Sequence, residues 1–421
     1  MFELQEIFTK QIEELASPKS VLLQILNQRF EELGMPLTTS QQDDLAQQIL
    51  EITDGTIHIE FEDDQITKAG FCGEKEIEPL IRKIFDGLVE DIAKYISDFE
   101  ETLPDVLQKT IKDIAPIILK SLKERASEML IGRRSERDSF GGNLSATWGE
   151  AIDLLEMYLV ISLETGEYIN NVSRPTAVDK NDLVFDVLTR LHARACQISW
   201  EILTLLENGF ADGAHARWRS LHEVTVVANF IAKSGNGLAE RYLLHEKIES
   251  YKAALQYRKY CGQLGLEEIA DDEMGELLRI RDELIKRFGS DYKHEYGWAS
   301  EALGKKRPTF RDIEEAVDLN HLRPYYKMAS YNVHANPKGV FFKLGIIDCP
   351  GDLLLAGPSN IGLTEPGHSM ALSLGNITIC LLIYEPTVDK LVISNILLEL
   401  CREVGDAFFK AHNALIESDG G

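Results

Sequence analysis

The sequence predicts a mainly α protein: a helical N-terminal domain with a small β element, followed by a helical bundle with a small β insertion. Three observations carry this. Apolar residues recur at three- and four-residue spacing over most of the chain, the period of a helix with one buried face. A single proline, Pro175, falls between residues 143 and 307. Gly209, Gly213, Gly235 and Gly237 stand at the joints between periodic runs, where helix ends favour glycine.

Residues 1–50 read as two amphipathic helices broken near residues 34–36, the second opening at Thr39 or Ser40. In "GTIHIEFEDD", Ile57, Ile59 and Phe61 alternate with His58, Glu60 and Glu62, which predicts a short half-buried strand. Residues 76–131 return to helical periodicity, with Pro104 expected to open a second helix and Pro116 to kink it. The polar, basic string "IGRRSERDSFGG" (131–142) is read as a domain boundary. It separates an acidic domain at 1–135 from a bundle at 143–415.

In the bundle, helices are predicted at about 145–163, 180–208, 211–233, 237–262 and 271–288. Shorter helices follow over 308–336. "GVFFKLGIIDC" and "DLLLAG" predict the β insertion near 339–356, before two helices at about 367–384 and 386–415. The longest apolar run, "MALSLGNITICLLIY" (370–384), is shorter than the roughly 20 residues of a membrane span and carries no basic flank. It is read as a core helix, so no membrane association is expected.

The 421 residues have a formal net charge of -25. Residues 1–100 hold 22 Asp and Glu against 8 Lys and Arg. Such a chain repels nucleic acid at long range, and nonspecific duplex binding needs a basic footprint. Any nucleic-acid contact must therefore be a local basic groove. The six cysteines show no C-x-x-C spacing, so they read as thiols in a reducing cytoplasm. No phosphate-binding loop, dinucleotide fingerprint, H-E-x-x-H or G-x-S-x-G occurs. No metal or cofactor is expected.

One stretch concentrates chemistry: "GAHARWRSLHEV" (213–224). At about 100° per residue His215, Arg219, His222 and Glu223 share one helix face, and Arg217 lies on the other side. Such a face either closes a buried polar network or binds something. In the first case Glu223 pairs with an arginine of another helix, such as Arg194 or Arg241. In the second, Arg217 and His222 have the R-x4-H spacing that resembles the HEPN helical ribonucleases. That resemblance implies metal-independent cleavage of RNA, with His222 as acid and base, Arg217 or Arg219 clamping the phosphate, and Glu223 orienting. A second cluster, "YYKMASYNVHANPKG" (325–339), holds Tyr326, Ser330, Tyr331, His334 and Asn336. Arg241 and His245 form an i, i+4 pair. Ligand-binding roles are assigned to His215, Tyr331, His334 and Arg241. "RRSER" (133–137) and "GKKRPTFR" (304–311) are further basic strings that could meet a phosphate backbone.

The run from "RLHARAC" to "ERYLLHE", with "GA-x-x-R-x-R-x-L-x-E", "EYGWA" (295–299) and "YKMASYNVHAN" (326–336), resembles a bacterial family, domain of unknown function 5677, over about residues 180–340. The resemblance implies an all-helical cytosolic domain with Arg217, Arg219, Glu223, His334 and Tyr331 at its polar signature. It implies no activity. The expected function is a HEPN-like ribonuclease or RNA-binding effector in bacterial stress or phage defence, acting as a homo-oligomer such as a dimer. The alternative is a non-enzymatic interaction or sensor protein, binding a protein partner through its acidic N-terminal domain. Its Arg/His/Glu cluster would be structural or hold a small ligand.

Overall fold

The computed structural model describes residues 9, 10, 12, 13, 16–51, 57–347 and 353–419. Contacts divide the chain into two compact units, Met1–Ile131 and Gly132–Gly421.

In the first unit, α1 (Pro18–Glu32), α2 (Thr39–Glu51), α3 (Asp63–Lys68) and the start of α4 (Glu74–Asp179) surround a small core. Leu26 and Phe30 of α1, Leu45 of α2, Ile66 of α3 and Ile77 of α4 fill it. Ser17 caps α1 through its hydroxyl, and Arg29 donates to Asp91 (Nε to Oδ2, 2.8 Å), tying α1 to α4.

The strand expected at residues 57–62 is not formed: among the described residues there is no strand. The alternation itself is real. Ile57, Ile59 and Phe61 pack on the core, and His58, Glu60 and Glu62 are exposed. What is missing is a partner strand. Side-chain amides of α2 take its place: Gln48 accepts from the His58 N–H (2.7 Å) and donates to its carbonyl (2.8 Å), and Gln41 donates to the Glu60 carbonyl (2.7 Å). An extended segment satisfied this way needs no ladder.

Helix α4 is continuous through Pro104, Pro116 and the basic string 131–142, where a second helix start, a kink and a loop are predicted. Each proline removes one backbone donor and disfavours the turn before it, yet the assignment runs unbroken to Asp179. The divide between units falls inside this helix.

The second unit is a helical bundle. From residue 132 onward, α4 buries Leu144, Trp148, Leu155 and Leu159. It is joined by α5 (Leu183–Glu207), α6 (Ala211–Ser234), α7 (Asn236–Leu264), α8 (Asp271–Phe288), α9 (Phe310–Ala316), α10 (Arg323–Val333), α11 (Pro337–Phe341), α12 (Thr364–Ile383) and α13 (Val388–Asp419). Short 3₁₀ turns at Ser290–Lys293, Gly297–Ala299, Asn320–Leu322 and Leu344–Ile346 link them. Helix α6 is central, packing against α5, α12, α10 and α9. Gly209, between α5 and α6, has φ +74 and leaves no room for a Cβ beside Phe140 and the Ser359 carbonyl. Helix α12 is long and apolar enough to cross a membrane, and 72% of its most apolar window is buried in the fold.

The β insertion expected near 339–356 is also not formed among the described residues. Residues 339–341 belong to α11, 344–346 are a 3₁₀ turn and 353–356 are irregular. Residues 348–352 of that expectation lie outside the described residues. The Asp212 carboxylate accepts the Leu344 N–H (3.0 Å) and the Gly345 N–H (3.4 Å), holding this backbone against α6 instead of a strand.

Candidate functional site

The face of α6 that gathers His215, Arg219, His222 and Glu223 divides in two along the direction of burial. His215 and His222 point inward. Arg219 and Glu223 lie at the rim, about one quarter and one third exposed.

The inner part is an aromatic column. His215 stacks on Trp218 (5.4 Å between centroids), which meets His222 at a tilt of 32° (5.4 Å). Phe310 and Tyr326 enclose His222 from α9 and α10. His222 is 1% exposed, and its Nε2 donates to Glu314 Oε1 at 2.9 Å; Glu314 is fully buried. Arg323 donates to the other Glu314 oxygen. Burial pushes the Glu314 carboxyl up, but the hydrogen bonds from His222 and Arg323 outweigh it and leave the group below its usual range. His222 Nδ1 and both His215 ring nitrogens have no hydrogen-bond partner among the described residues. Burial lowers His215 to about 4, so it is neutral near pH 7.

The rim is a different chemistry. Glu223 Oε1 accepts from Arg219 Nε (3.1 Å) and from the Tyr326 hydroxyl (2.5 Å). The Arg219 guanidinium lies over the Tyr326 ring, 4.9 Å from its centre, and its Nη1 is 3.5 Å from His334 Nε2. Burial and the bond to Glu223 push the Tyr326 phenol up. Burial also raises Tyr296, to about 12, with the Glu295 and Glu223 charges adding to the effect. Both phenols are thus hydrogen-bond donors at neutral pH.

The remaining expected residues lie elsewhere. Arg217 turns away and pairs with Glu201 of α5. Arg194 bonds to Gln197, so Glu223 takes its partners from α6 and α10, not from Arg194 or Arg241. Arg241 is buried and donates to the Trp298 carbonyl (3.1 Å) and to Glu301 (2.8 Å). His245 Nε2 is shared between the carbonyls of Tyr292 (3.0 Å) and His294 (2.9 Å). This pair therefore secures the turns at residues 290–301. Tyr331 is half-buried, with Lys338 Nζ 5.2 Å from its ring centre.

Three residues that matter here carry no signal beside the 213–224 stretch. Glu314 is 92 positions from His222 along the chain. Arg323 and Asp212 are likewise identified only by what they touch. Tyr326 is recognisable in the sequence as part of the second cluster, but its bond to Glu223 is not.

The surface next to Arg219 has an unusual composition. Residues 319–347 contain Arg323, Lys327, Lys338, Lys343, His321 and His334 and no Asp or Glu. Tyr325 and Phe341 on the same two short helices are exposed, Phe341 by 86%.

No curated protein and no solved structure matches the chain. Residues 185–347, which contain the whole α6 face with its partners on α9 and α10, match the model of a family described as Family of unknown function (DUF5677), the family the sequence resembles.

Proposed function

We propose that the face formed by Arg219 and residues 319–347 binds single-stranded RNA, with Arg219 and His334 at a phosphate. The acid-free, basic and aromatic stretch 319–347 in a chain of net charge -25 carries this reading. A local basic surface supplies what the whole-chain charge opposes. Arg219 is held in place by Glu223 and stacked on Tyr326, which suits a guanidinium that must meet a phosphate without first being ordered. Exposed Tyr325 and Phe341 offer π-faces on which unpaired bases stack, a mode of binding with little sequence preference.

A second reading adds cleavage. It is favoured by the nearness of His334 to Arg219, which would set a proton-transfer group beside a phosphate clamp. In this version His334 takes the role that the R-x4-H spacing gives to His222. His222 is enclosed and bonded to Glu314, and serves the core.

Fluorescence anisotropy of a labelled single-stranded RNA in EDTA tests both. Saturable binding is expected, weakening linearly in log salt. Arg219→Ala should weaken it roughly tenfold to a hundredfold, the loss of one charged contact, and His334→Ala roughly tenfold, the loss of one hydrogen bond. Absence of binding by the folded wild type would sink the proposal. A denaturing gel of the same samples separates the two readings: cleavage lost in His334→Ala makes the protein a ribonuclease, and intact RNA at saturation makes it a binder.

A further inference from the structure

Away from that face, a cleft of about 390 Å³ opens between α4 and α5, with Leu381 of α12 at its base. Its size is that of a small-molecule site. Leu163 of α4 and the imidazole of His192 on α5 complete the floor. Gly166 makes room for that ring: a Cβ there would stand 2.4 Å from His192 Cε1 and Nδ1. A glycine inside a helix is unfavourable, and here it has a steric reason. His192 is 3% exposed. Its Nε2 lies 3.1 Å from Thr378 Oγ1, and the Thr378 hydroxyl donates to the Leu374 carbonyl (2.8 Å). The Thr378 oxygen therefore accepts from Nε2–H, and the ring, buried and lowered to about 4, is neutral near pH 7. The floor carries no charge.

The walls do carry charge, and most of it is paired. Arg174 donates through all three guanidinium nitrogens, to Asn170 Oδ1 (2.9 Å), Asp186 Oδ1 (2.6 Å) and Thr189 Oγ1 (2.8 Å). The second Asp186 oxygen accepts from Arg190 Nε (2.9 Å). Three lining groups have no partner among the described residues: the two Nη atoms of Arg190, the Asn170 Nδ2 and the Glu167 carboxylate. The first two are donors and the third is an acceptor. Arg174 and Arg190 balance Asp186 and Glu167, so the site has no net charge. A ligand that is only an anion would face Glu167, and one that is only a cation would face Arg190. Like charges set together in this way are costly, whereas a zwitterion meets an opposite charge at each end.

We propose that this cleft binds a free α-amino acid with an aliphatic side chain. Arg190 and Asn170 hold its carboxylate, Glu167 holds its ammonium, and Leu163 and Leu381 take the side chain. Asp186 fixes Arg190 through Nε and leaves both Nη atoms to the ligand. Charge-assisted bonds at the two ends, made by groups already in place, supply affinity that so small a ligand cannot gain from buried area alone.

Isothermal titration calorimetry of the full-length protein with L-leucine, L-isoleucine and L-valine tests this. At least one of the three should bind saturably, at one site per chain. The analogue of that amino acid without its amine, and the analogue without its carboxylate, should each bind roughly tenfold more weakly or worse, the loss of one charged contact. Arg190→Met and Glu167→Gln should each weaken binding by a similar factor. Both side chains are exposed, Arg190 by 70%, so the melting temperature without ligand should hardly move. No saturable binding of any of the three overturns the proposal, and so does binding that is indifferent to both substitutions. An analogue without its amine that binds as well as the amino acid overturns the zwitterion as the ligand class.

Discussion

Glu314 shows how one buried carboxylate is kept charged. It is fully buried, yet both oxygens are bonded, one to His222 and the other to Arg323, which reaches partly to solvent. A buried charge with its full set of donors is tolerated; one that loses a partner is not. Glu314→Ala would strand the His222 Nε2–H in an apolar column and should cost about 3 kcal/mol, read as a shift in the urea midpoint. Glu314→Gln keeps an acceptor at the same position and should cost less. Equal losses for the two would show that the charge, not the hydrogen bond, matters. His222→Ala is expected to act through the same network. It should lower stability, and a variant that keeps wild-type stability but loses function would contradict the assignment of His222 to the core.

At the scale of elements, α6 is held in register against α12 by polar contacts inside the core. Trp218 Nε1 donates to Ser373 Oγ (2.9 Å), Thr225 Oγ1 to the Ser373 carbonyl (3.1 Å), and Asn229 Nδ2 to Asn376 Oδ1 (2.7 Å). Such bonds add modest net stability but fix how far one helix may slide along another. Close approach does the rest. At Gly375 an added Cβ would land on the Tyr158 hydroxyl of α4. Gly375→Ala should therefore destabilise by about 1–3 kcal/mol from overpacking, against the roughly 1 kcal/mol that alanine gains in a free helix. A rise in melting temperature would show that Tyr158 moves aside at no cost. Helix α6 also carries Asp212, whose carboxylate binds the turn at 344–346 and Asn332 Nδ2 (3.1 Å). This one side chain links the end of α10 to the polar rim, so Asp212→Ala should loosen His334 and weaken ligand binding without touching Arg219. Hydrogen exchange at 332–346 measures the loosening directly.

For the whole molecule, the buried histidines set the acid limit. Burial lowers His192 and His215 to about 4 each. In the unfolded chain they titrate near 6.5. Between those values only the unfolded state takes the proton, so each contributes stability that is fully present above about pH 6.5 and lost as pH falls toward 4. The loss is about 3 kcal/mol per histidine. Glu314, lowered in the folded state, adds a second loss only below the usual carboxylate pKa of ~4.3. Urea unfolding followed from pH 7 to pH 4 should therefore show a steady decline well before the carboxylates titrate, and His215→Leu should flatten part of it. A flat profile down to pH 5 would mean that these rings are hydrated in solution.

Periodicity alone determined much of this protein. The helices at 183–207, 211–234, 236–264 and 271–288 lie within a few residues of where spacing and glycine joints place them, because a 3.6-residue repeat of apolar side chains has only one way to bury itself. The same local signal led to a strand at 57–62 that does not form, since alternation reports which side chains are buried and says nothing of whether a partner strand exists. The crowding of Arg, His and Glu at 213–224 was equally plain in the sequence, and so was the helix face they share. What only the tertiary structure decided is how that face is divided. Glu314 and Arg323 come from 92 and 101 residues away to enclose His222, and Tyr326 and His334 come from α10 to meet Arg219 at the rim. Helical geometry assigns His222 and Arg219 to the same side of α6; only the elements packed over that side determine that one is core and the other surface.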